Sequence, residues 1–166
     1  IIDHKVIYKY DKKHTTILPR MHSKSAQHEK KYREITGLNK GEKPAFTDNL
    51  YFMFKHQLGT MYLRYFMWNF AGRQNDIQGH GEINKGNWLS GIPFIDNARL
   101  GPQENLPATM ANNKGRNTYY LLPLLLGLLG MFFHFSKNNK DAFVVLLLFL
   151  FTGLAIVTYL NQYPCL

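Results

Sequence analysis

The chain has 166 residues, 45% of them hydrophobic, and carries a formal net charge of +9 at pH 7. Its one cysteine, Cys165, excludes an internal disulfide and a cysteine zinc cluster. The positive charge is concentrated in residues 1–47, where Lys and Arg outnumber Asp and Glu by eleven to five. Such an excess favours anionic partners, above all lipid headgroups. No nucleic-acid-binding module is recognisable, so nucleic acid is not an expected partner.

The first part, residues 1–47, is predicted to be a basic polar segment on the extracytoplasmic side. Residues 1–10 (IIDHKVIYKY) alternate loosely and predict an edge strand. Residues 24–36 are compatible with a polar helix that stops at Gly37, and residues 41–44 break the chain again. The chain starts with Ile1 rather than Met, and we therefore expect an internal piece of a longer protein.

The second part, residues 48–117, opens with a candidate amphipathic helix over residues 48–70 that Asp48 could cap. At 100° per residue one face carries apolar side chains: Leu50, Phe54, Leu58, Met61, Tyr65 and Trp68. The opposite face is polar: His56, Gln57, Thr60 and Arg64. Because Lys55 and Arg64 are costly inside a bilayer, we expect an interfacial or re-entrant helix with Arg64 towards a protein cavity. An ordinary core helix is the alternative.

A glycine-rich polar loop follows this helix. Arg73, Gln74, Asp76 and Gln78 supply a cation, a carboxylate and two amides within six residues, and Trp88 follows. Arginine forks match phosphate oxygens, while the other groups suit sugar hydroxyls and ring faces, so the loop is a candidate sugar-phosphate site. The alternative is a loop whose polar groups bond to one another and to the helix end.

The third part, residues 118–166, contains two uncharged apolar stretches, residues 119–135 and 142–160. Their lengths fit a transmembrane helical hairpin, since a hydrocarbon core about 30 Å thick takes roughly 20 helical residues. Lys137 and Lys140 in the turn favour a cytoplasmic turn, although Lys114 and Arg116 stand before the first stretch. Residues 1–117 are then periplasmic. A buried hairpin of a soluble protein is the alternative.

Other chemical signatures are weak. His14, His22 and His28 do not have the spacing of a helical metal site, and no metal is expected. Ser23 and Ser90 lack the context of an activated nucleophile, and the glycine-rich loop matches neither a phosphate-binding nor a dinucleotide-binding fingerprint. The composition therefore predicts a mainly α-helical membrane protein without an evident cofactor.

Three segments carry a resemblance to a known family: MYLRYFMWNFAGRQNDIQG from Met61, NWLSGI from Asn87 and ILPRMHS from Ile17. They resemble a family of multi-span membrane proteins of Bacteroidota that carries a domain of unknown function. That family is similar to the eukaryotic protein O-mannosyltransferase-like transmembrane proteins. The resemblance implies a glycosyltransferase of the GT-C type in the bacterial inner membrane.

Such an enzyme moves a sugar, mannose-like here, from a polyprenyl-phosphate carrier to a protein Ser or Thr on the extracytoplasmic face. Its expected partners are membrane lipid, the lipid-linked sugar and a protein acceptor, and it needs no cofactor. The acidic motif of the family has no counterpart here, so we expect the catalytic base outside this chain. Asp76 would be an accessory group, and Arg64 or Arg73 would hold the lipid phosphate. A non-catalytic envelope protein and a soluble binding module are the alternatives.

Overall fold

The computed structural model describes residues 9, 11, 12, 15–18, 20–161, 163 and 164. Apart from Lys9, the predicted edge strand lies outside the described residues, as do His14 and Cys165. The described part is mainly α-helical, as predicted. Its elements are α1 (Ala26–Thr36), α2 (Phe46–Phe52), a π-helical segment (Met53–Leu63), α3 (Arg64–Phe70), β1 (Gly72–Arg73), α4 (Pro93–Leu100), α5 (Ala108–Ala111), β2 (Asn117–Thr118), α6 (Leu122–Lys137) and α7 (Asn139–Leu160).

Helix α1 is the predicted polar helix, and it ends where the sequence indicated. Gly37 adopts φ 78°, a left-handed conformation that glycine takes without steric cost, and its amide donates to the Arg33 carbonyl at 2.7 Å. On the buried side, the ring of Tyr32 meets the ring of Phe52 edge-on, with centroids 4.9 Å apart. This contact packs α1 against α2.

The central helix comprises α2, the π-helical segment and α3, residues 46–70 without a break. Asp48 takes part in capping this helix, but from its third residue, because the helix begins at Phe46 and the cap position is Ala45. The Asp48 carboxylate accepts the Ala45 backbone amide at 2.7 Å. One otherwise unpaired amide of the first turn is thereby satisfied.

The π-helical segment Met53–Leu63 changes which side chains of the central helix are buried. Phe54 is 61% exposed and Tyr65 is also exposed, whereas His56, Gln57 and Arg64 are buried. The buried side chains come largely from the polar face, as the expected direction of Arg64 towards a protein cavity requires, and the alternative of a core helix buried through its apolar face does not fit. A π-helix bonds residue i to i+5 and has more residues per turn than an α-helix, so a 100° step misplaces every following side chain.

A two-stranded antiparallel sheet links the end of the central helix to the start of α6. Gly72 pairs with Thr118 and Arg73 with Asn117. The loop before α4 is bonded to this sheet at Leu89, whose amide donates to the Gly72 carbonyl at 3.0 Å. The glycine-rich loop between β1 and α4 is thereby fixed next to the N-terminus of α6.

Helices α6 and α7 form a hairpin through Asn138, whose side chain accepts the Asp141 amide at 3.3 Å. The His134 Nε2 lies 2.9 Å from the Asp141 carboxylate across the same turn. Among the described helices α7 alone is long and apolar enough to cross a membrane, and α6 is a shorter apolar helix. Both leave much of their Leu, Val and Phe surface exposed.

The central helix packs along the C-terminal half of α7. Phe66 meets Phe149 edge-on at 6.0 Å, and Gly153 lies against the Tyr62 hydroxyl so closely that a Cβ would collide with it. Further along, Gln57 Nε2 donates to the Asn161 side chain at 2.9 Å. The contacts run in opposite order along the two helices, which are therefore antiparallel here.

Candidate functional site

Arg20 joins the N-terminal segment to the central helix and to α7. Its Nε donates to Oε1 of Gln57 at 2.9 Å, and Nη2 and Nη1 donate to the carbonyls of Val157 and Thr158 at 2.6 and 3.2 Å. The Asn49 side chain accepts the Arg20 amide at 2.8 Å. Since the last carbonyls of a helix lack intrahelical donors, a buried guanidinium at this position both satisfies them and complements the helix dipole.

Arg64 organises the glycine-rich loop from the central helix. Its guanidinium donates to the carbonyls of Gln78 at 2.9 Å and Gly79 at 3.1 Å, and also to that of Gly86. Its Nε bonds the Thr60 carbonyl, one turn back, at 2.8 Å. Arg64 is buried, as expected for an arginine directed towards protein, and its main contacts are with the loop backbone.

The loop also uses its own amide side chains as internal supports. Gln74 Nε2 donates to the Ile83 carbonyl at 2.9 Å, and Asn75 Nδ2 donates to the Asn84 carbonyl at 2.8 Å. Asn87 donates to Oε1 of Gln74 at 3.1 Å. These contacts follow the alternative in which the polar groups of the loop bond to one another. Gln74 is therefore a support of the loop in this structure.

The remaining predicted site residues lie apart from one another. Arg73 stacks on Trp68, with Cζ 3.9 Å from the ring centroid, and donates to the Asn69 side chain at 3.2 Å. Asp76 and Gln78 are exposed. Trp88 is half-buried, and Arg99 Cζ lies over its ring, 3.5 Å from the ring centroid. The six predicted residues therefore border one loop but do not converge on one point.

A large cleft of about 1040 Å³ opens between the central helix and the C-terminal end of α7. Arg64 and Gln78 border it, whereas Arg73, Gln74, Asp76 and Trp88 do not. Most of the wall is apolar or aromatic, and none of the described residues that line it is Asp or Glu. The lining side chains are His28, Gln57, Met61, Tyr62, Arg64, Tyr65, Phe66, Asn69, Phe70, Gln78, His80, Val157, Leu160 and Tyr163.

Two buried basic groups lie in or beside the cleft wall. Burial lowers the pKa of Arg64, whose guanidinium donates to backbone carbonyls of the loop. His56 is buried beside Phe52, and burial, followed by the neighbouring His80, lowers its pKa to about 4. His56 is thus neutral at pH 7.

Several residues at the cleft and around it were not predicted as site residues from the sequence. Arg20 lies in the ILPRMHS segment, yet its partners on α7 are 137 and 138 positions away. Tyr62 and His80 line the cleft, and Arg99 covers Trp88. The sequence signal for Arg20 was its place in that segment, and nothing local indicated its contacts.

The fold and cleft define a class: a mainly α-helical protein in which one described helix could span a membrane, with an apolar cleft beside that helix. No group of three or more His, Cys, Asp or Glu side chains suited to a metal occurs in the described part. Residues 1–54 match a family described as "Family of unknown function (DUF8416)". The matched stretch includes Arg20 and Asn49. No curated protein and no solved structure matches the chain.

Proposed function

We propose that this chain is part of a membrane-embedded glycosyltransferase that moves a mannose-like sugar from a polyprenyl-phosphate carrier to a protein Ser or Thr on the extracytoplasmic face. The observation that carries the proposal is the cleft between the central helix and α7. In the reaction, a bond forms between the acceptor hydroxyl oxygen and the sugar C1. The bond from C1 to the carrier phosphate breaks, and the hydroxyl proton passes to a base.

The chemistry of the cleft suits an anionic amphiphile. Phe66, Phe70 and Leu160 provide apolar wall for a hydrocarbon chain, while Arg64, Gln78 and His80 provide a polar end. A volume of about 1040 Å³ is at the upper end of the range for ligand sites, roughly 300 to 1,000 Å³. Because its described lining includes an arginine and no Asp or Glu, the cleft favours a phosphate over a cationic headgroup.

The proposed orientation places the cleft outside the cytoplasm. Lys137 and Lys140 flank the hairpin turn, and the positive-inside tendency assigns such a turn to the cytoplasm. The cleft borders Val157 and Leu160, at the other end of α7. The exposed Leu and Phe side chains of α6 and α7 would then face lipid.

The six sequence-selected residues take different parts in this proposal. Arg64 and Gln74 hold the loop, and Gln78 and Arg64 border the donor. Arg73 and Trp88 act at the rim, and Asp76 is an exposed accessory that could orient an acceptor hydroxyl. The proposal assigns no described residue as the catalytic base.

The donor cleft is tested with the purified chain in lipid nanodiscs and a photoactivatable polyprenyl phosphate. Met61→Trp fills the cleft and should reduce crosslinking at least about ten-fold, because a ligand must displace the new ring. Phe54→Trp is the matched control, since Phe54 is exposed on the same helix and does not line the cleft. Equal crosslinking in both variants would remove the cleft from the proposal.

Catalysis is tested by mannosyl transfer from mannosyl-phosphoryl-polyprenol to a Thr-containing peptide, with the chain in its full-length parent protein. Transfer that is lost in Met61→Trp and kept in Phe54→Trp supports the transferase. Binding of the carrier without transfer supports the alternative, a non-catalytic envelope protein. Quantitative extraction of the chain from membranes without detergent contradicts both readings and supports a soluble binding module.

A further inference from the structure

A second concavity lies on another face of the central helix. It measures about 430 Å³ and is bordered by side chains of the π-helical segment, α3, the glycine-rich loop and α4. Its lining is Gly59, Thr60, Leu63, Arg64, Met67, Gly81, Asn87, Trp88 and Arg99. None of these residues belongs to α6 or α7. We call it the Trp88 groove.

The Trp88 groove and the cleft share one wall. Arg64 borders both, and the loop that Arg64 holds contributes Gly79 to the cleft and Gly81 to the groove. The central helix contributes different side chains to the two cavities: Met61 and Tyr65 line the cleft, whereas Leu63 and Met67 line the groove. A ligand in the groove therefore lies one side chain away from a ligand in the cleft.

The walls of the groove suit an extended peptide rather than a lipid chain. Gly59 and Gly81 contribute backbone to the walls, and at Gly81 the Cβ position lies 3.0 Å from Arg64 Cδ, so a side chain there would displace the wall. Thr60 adds a hydroxyl, and Leu63 and Met67 form a short apolar floor. The groove is also shallower and smaller than the cleft, too small for a long hydrocarbon tail.

The charge of the groove is positive. Arg64 and Arg99 both line it, and none of its described lining residues is Asp or Glu. Arg99 is exposed, stacks on the Trp88 ring and donates to the Trp88 carbonyl at 3.2 Å. The nearest acid on its own helix, Asp96, is buried and accepts the amides of Ser90 and Gly91 at 2.9 and 2.7 Å. Burial lowers the pKa of Arg99 and the nearby Asp96 raises it in part, but the Asp96 oxygens accept the loop amides, so the exposed Arg99 fork can still meet an external acceptor.

We propose that the Trp88 groove binds the protein acceptor as an extended segment, and that Arg99 selects segments with Asp or Glu beside the acceptor Ser or Thr. The proposal rests on the proposed transferase function, because the shared Arg64 wall places an acceptor hydroxyl next to the donor cleft. Arg99 acts as a specificity residue, since its guanidinium matches a carboxylate.

The test measures binding of fluorescein-labelled peptides to the chain in nanodiscs by fluorescence anisotropy, at physiological ionic strength. The peptides are identical except for the residues beside one Thr, which are Glu, Gln or Lys. The Glu peptide should bind about five-fold more tightly than the Gln peptide, the size expected for one partly exposed ion pair. Arg99→Gln should remove this difference, and Arg99→Glu should favour the Lys peptide.

Two further variants separate the groove from its surroundings. Lys114→Gln removes an exposed positive charge outside both cavities and should leave the preference intact. Leu63→Trp fills the groove and should weaken all three peptides about ten-fold without changing polyprenyl-phosphate crosslinking. Equal binding of the Glu and Gln peptides overturns the inference, as does a preference that survives Arg99→Gln. Loss of lipid crosslinking in Leu63→Trp would instead identify the groove as a lipid site.

The outcomes also separate this inference from the transferase proposal. Peptide selection by Arg99 without any sugar transfer supports the groove and contradicts the transferase. Sugar transfer that ignores the flanking charge supports the transferase and overturns the role of Arg99.

Discussion

The Arg20 guanidinium and the Gln57 side chain meet at 2.9 Å inside the protein, although 37 positions separate them in the chain. The same guanidinium also bonds the last turn of α7, and Gln57 bonds Asn161 just beyond it. Three distant segments are therefore joined through one buried cation. The cleft lies beside this junction and shares Gln57 and Val157 with it.

The first prediction concerns this junction. Arg20→Gln should lower the free energy of unfolding by about 2 to 4 kcal/mol, because buried carbonyls and amides lose a charged donor. Arg20→Lys should recover only part of this loss, since an ammonium cannot reproduce the planar fork. Denaturant unfolding in detergent measures both. Lys24→Gln, at an exposed position, is the control, and an Arg20→Gln variant as stable as Lys24→Gln would contradict the assigned role.

The second prediction concerns Arg64 and the loop. Arg64→Lys should speed hydrogen exchange of the amides in residues 78–86 by about ten-fold or more, because one ammonium cannot bond three separated carbonyls. Exchange in α6 and α7 should stay unchanged. Lys85→Gln, which alters an exposed charge in the same loop, serves as comparison. If the two variants exchange alike, Arg64 does not hold the loop.

The third prediction concerns pH. His56 is 8% exposed, its Nε2 has no hydrogen-bond partner among the described residues, and burial lowers its pKa to about 4. Between pH 6.5 and 4 the unfolded chain takes up a proton that the folded chain excludes, so stability falls as the pH falls. The full effect is about 3 kcal/mol. The unfolding temperature, measured between pH 6.5 and 4, should depend less steeply on pH in His56→Leu than in the unaltered protein. An unchanged pH dependence would assign the acid sensitivity to other groups.

The fourth prediction concerns the close contact of Gly153 with Tyr62. Gly153→Ala should destabilise the protein by about 1 to 3 kcal/mol, because its Cβ meets the Tyr62 hydroxyl. Adding Tyr62→Phe removes that oxygen but leaves ring carbons 2.7 and 3.0 Å from the Cβ position, so it should recover only part of the loss. Gly127→Ala in α6 is the matched control, since nothing lies within 4 Å of its Cβ position. Additive losses in the double variant would contradict the contact.

The local features of the fold could be predicted from the sequence, and its long-range contacts could not. Gly37 ends α1 through its own backbone freedom, and the uncharged stretches after residue 118 form the paired helices α6 and α7. The π-helical segment could not be predicted, because nothing in MFKHQLGTMYL distinguishes i→i+5 from i→i+4 bonding. Composition alone could not determine whether Gln74 faces a ligand or the loop carbonyls.

The two helices of the hairpin differ in length, and this difference has a mechanical consequence. The 16 residues of α6 rise about 24 Å and the 22 residues of α7 about 33 Å, compared with a hydrocarbon thickness of about 30 Å. In the proposed topology the bilayer fits α7 but is too thick for α6. Lipids around α6 would have to compress, or the hairpin to tilt, which draws headgroups inward on one flank of the protein.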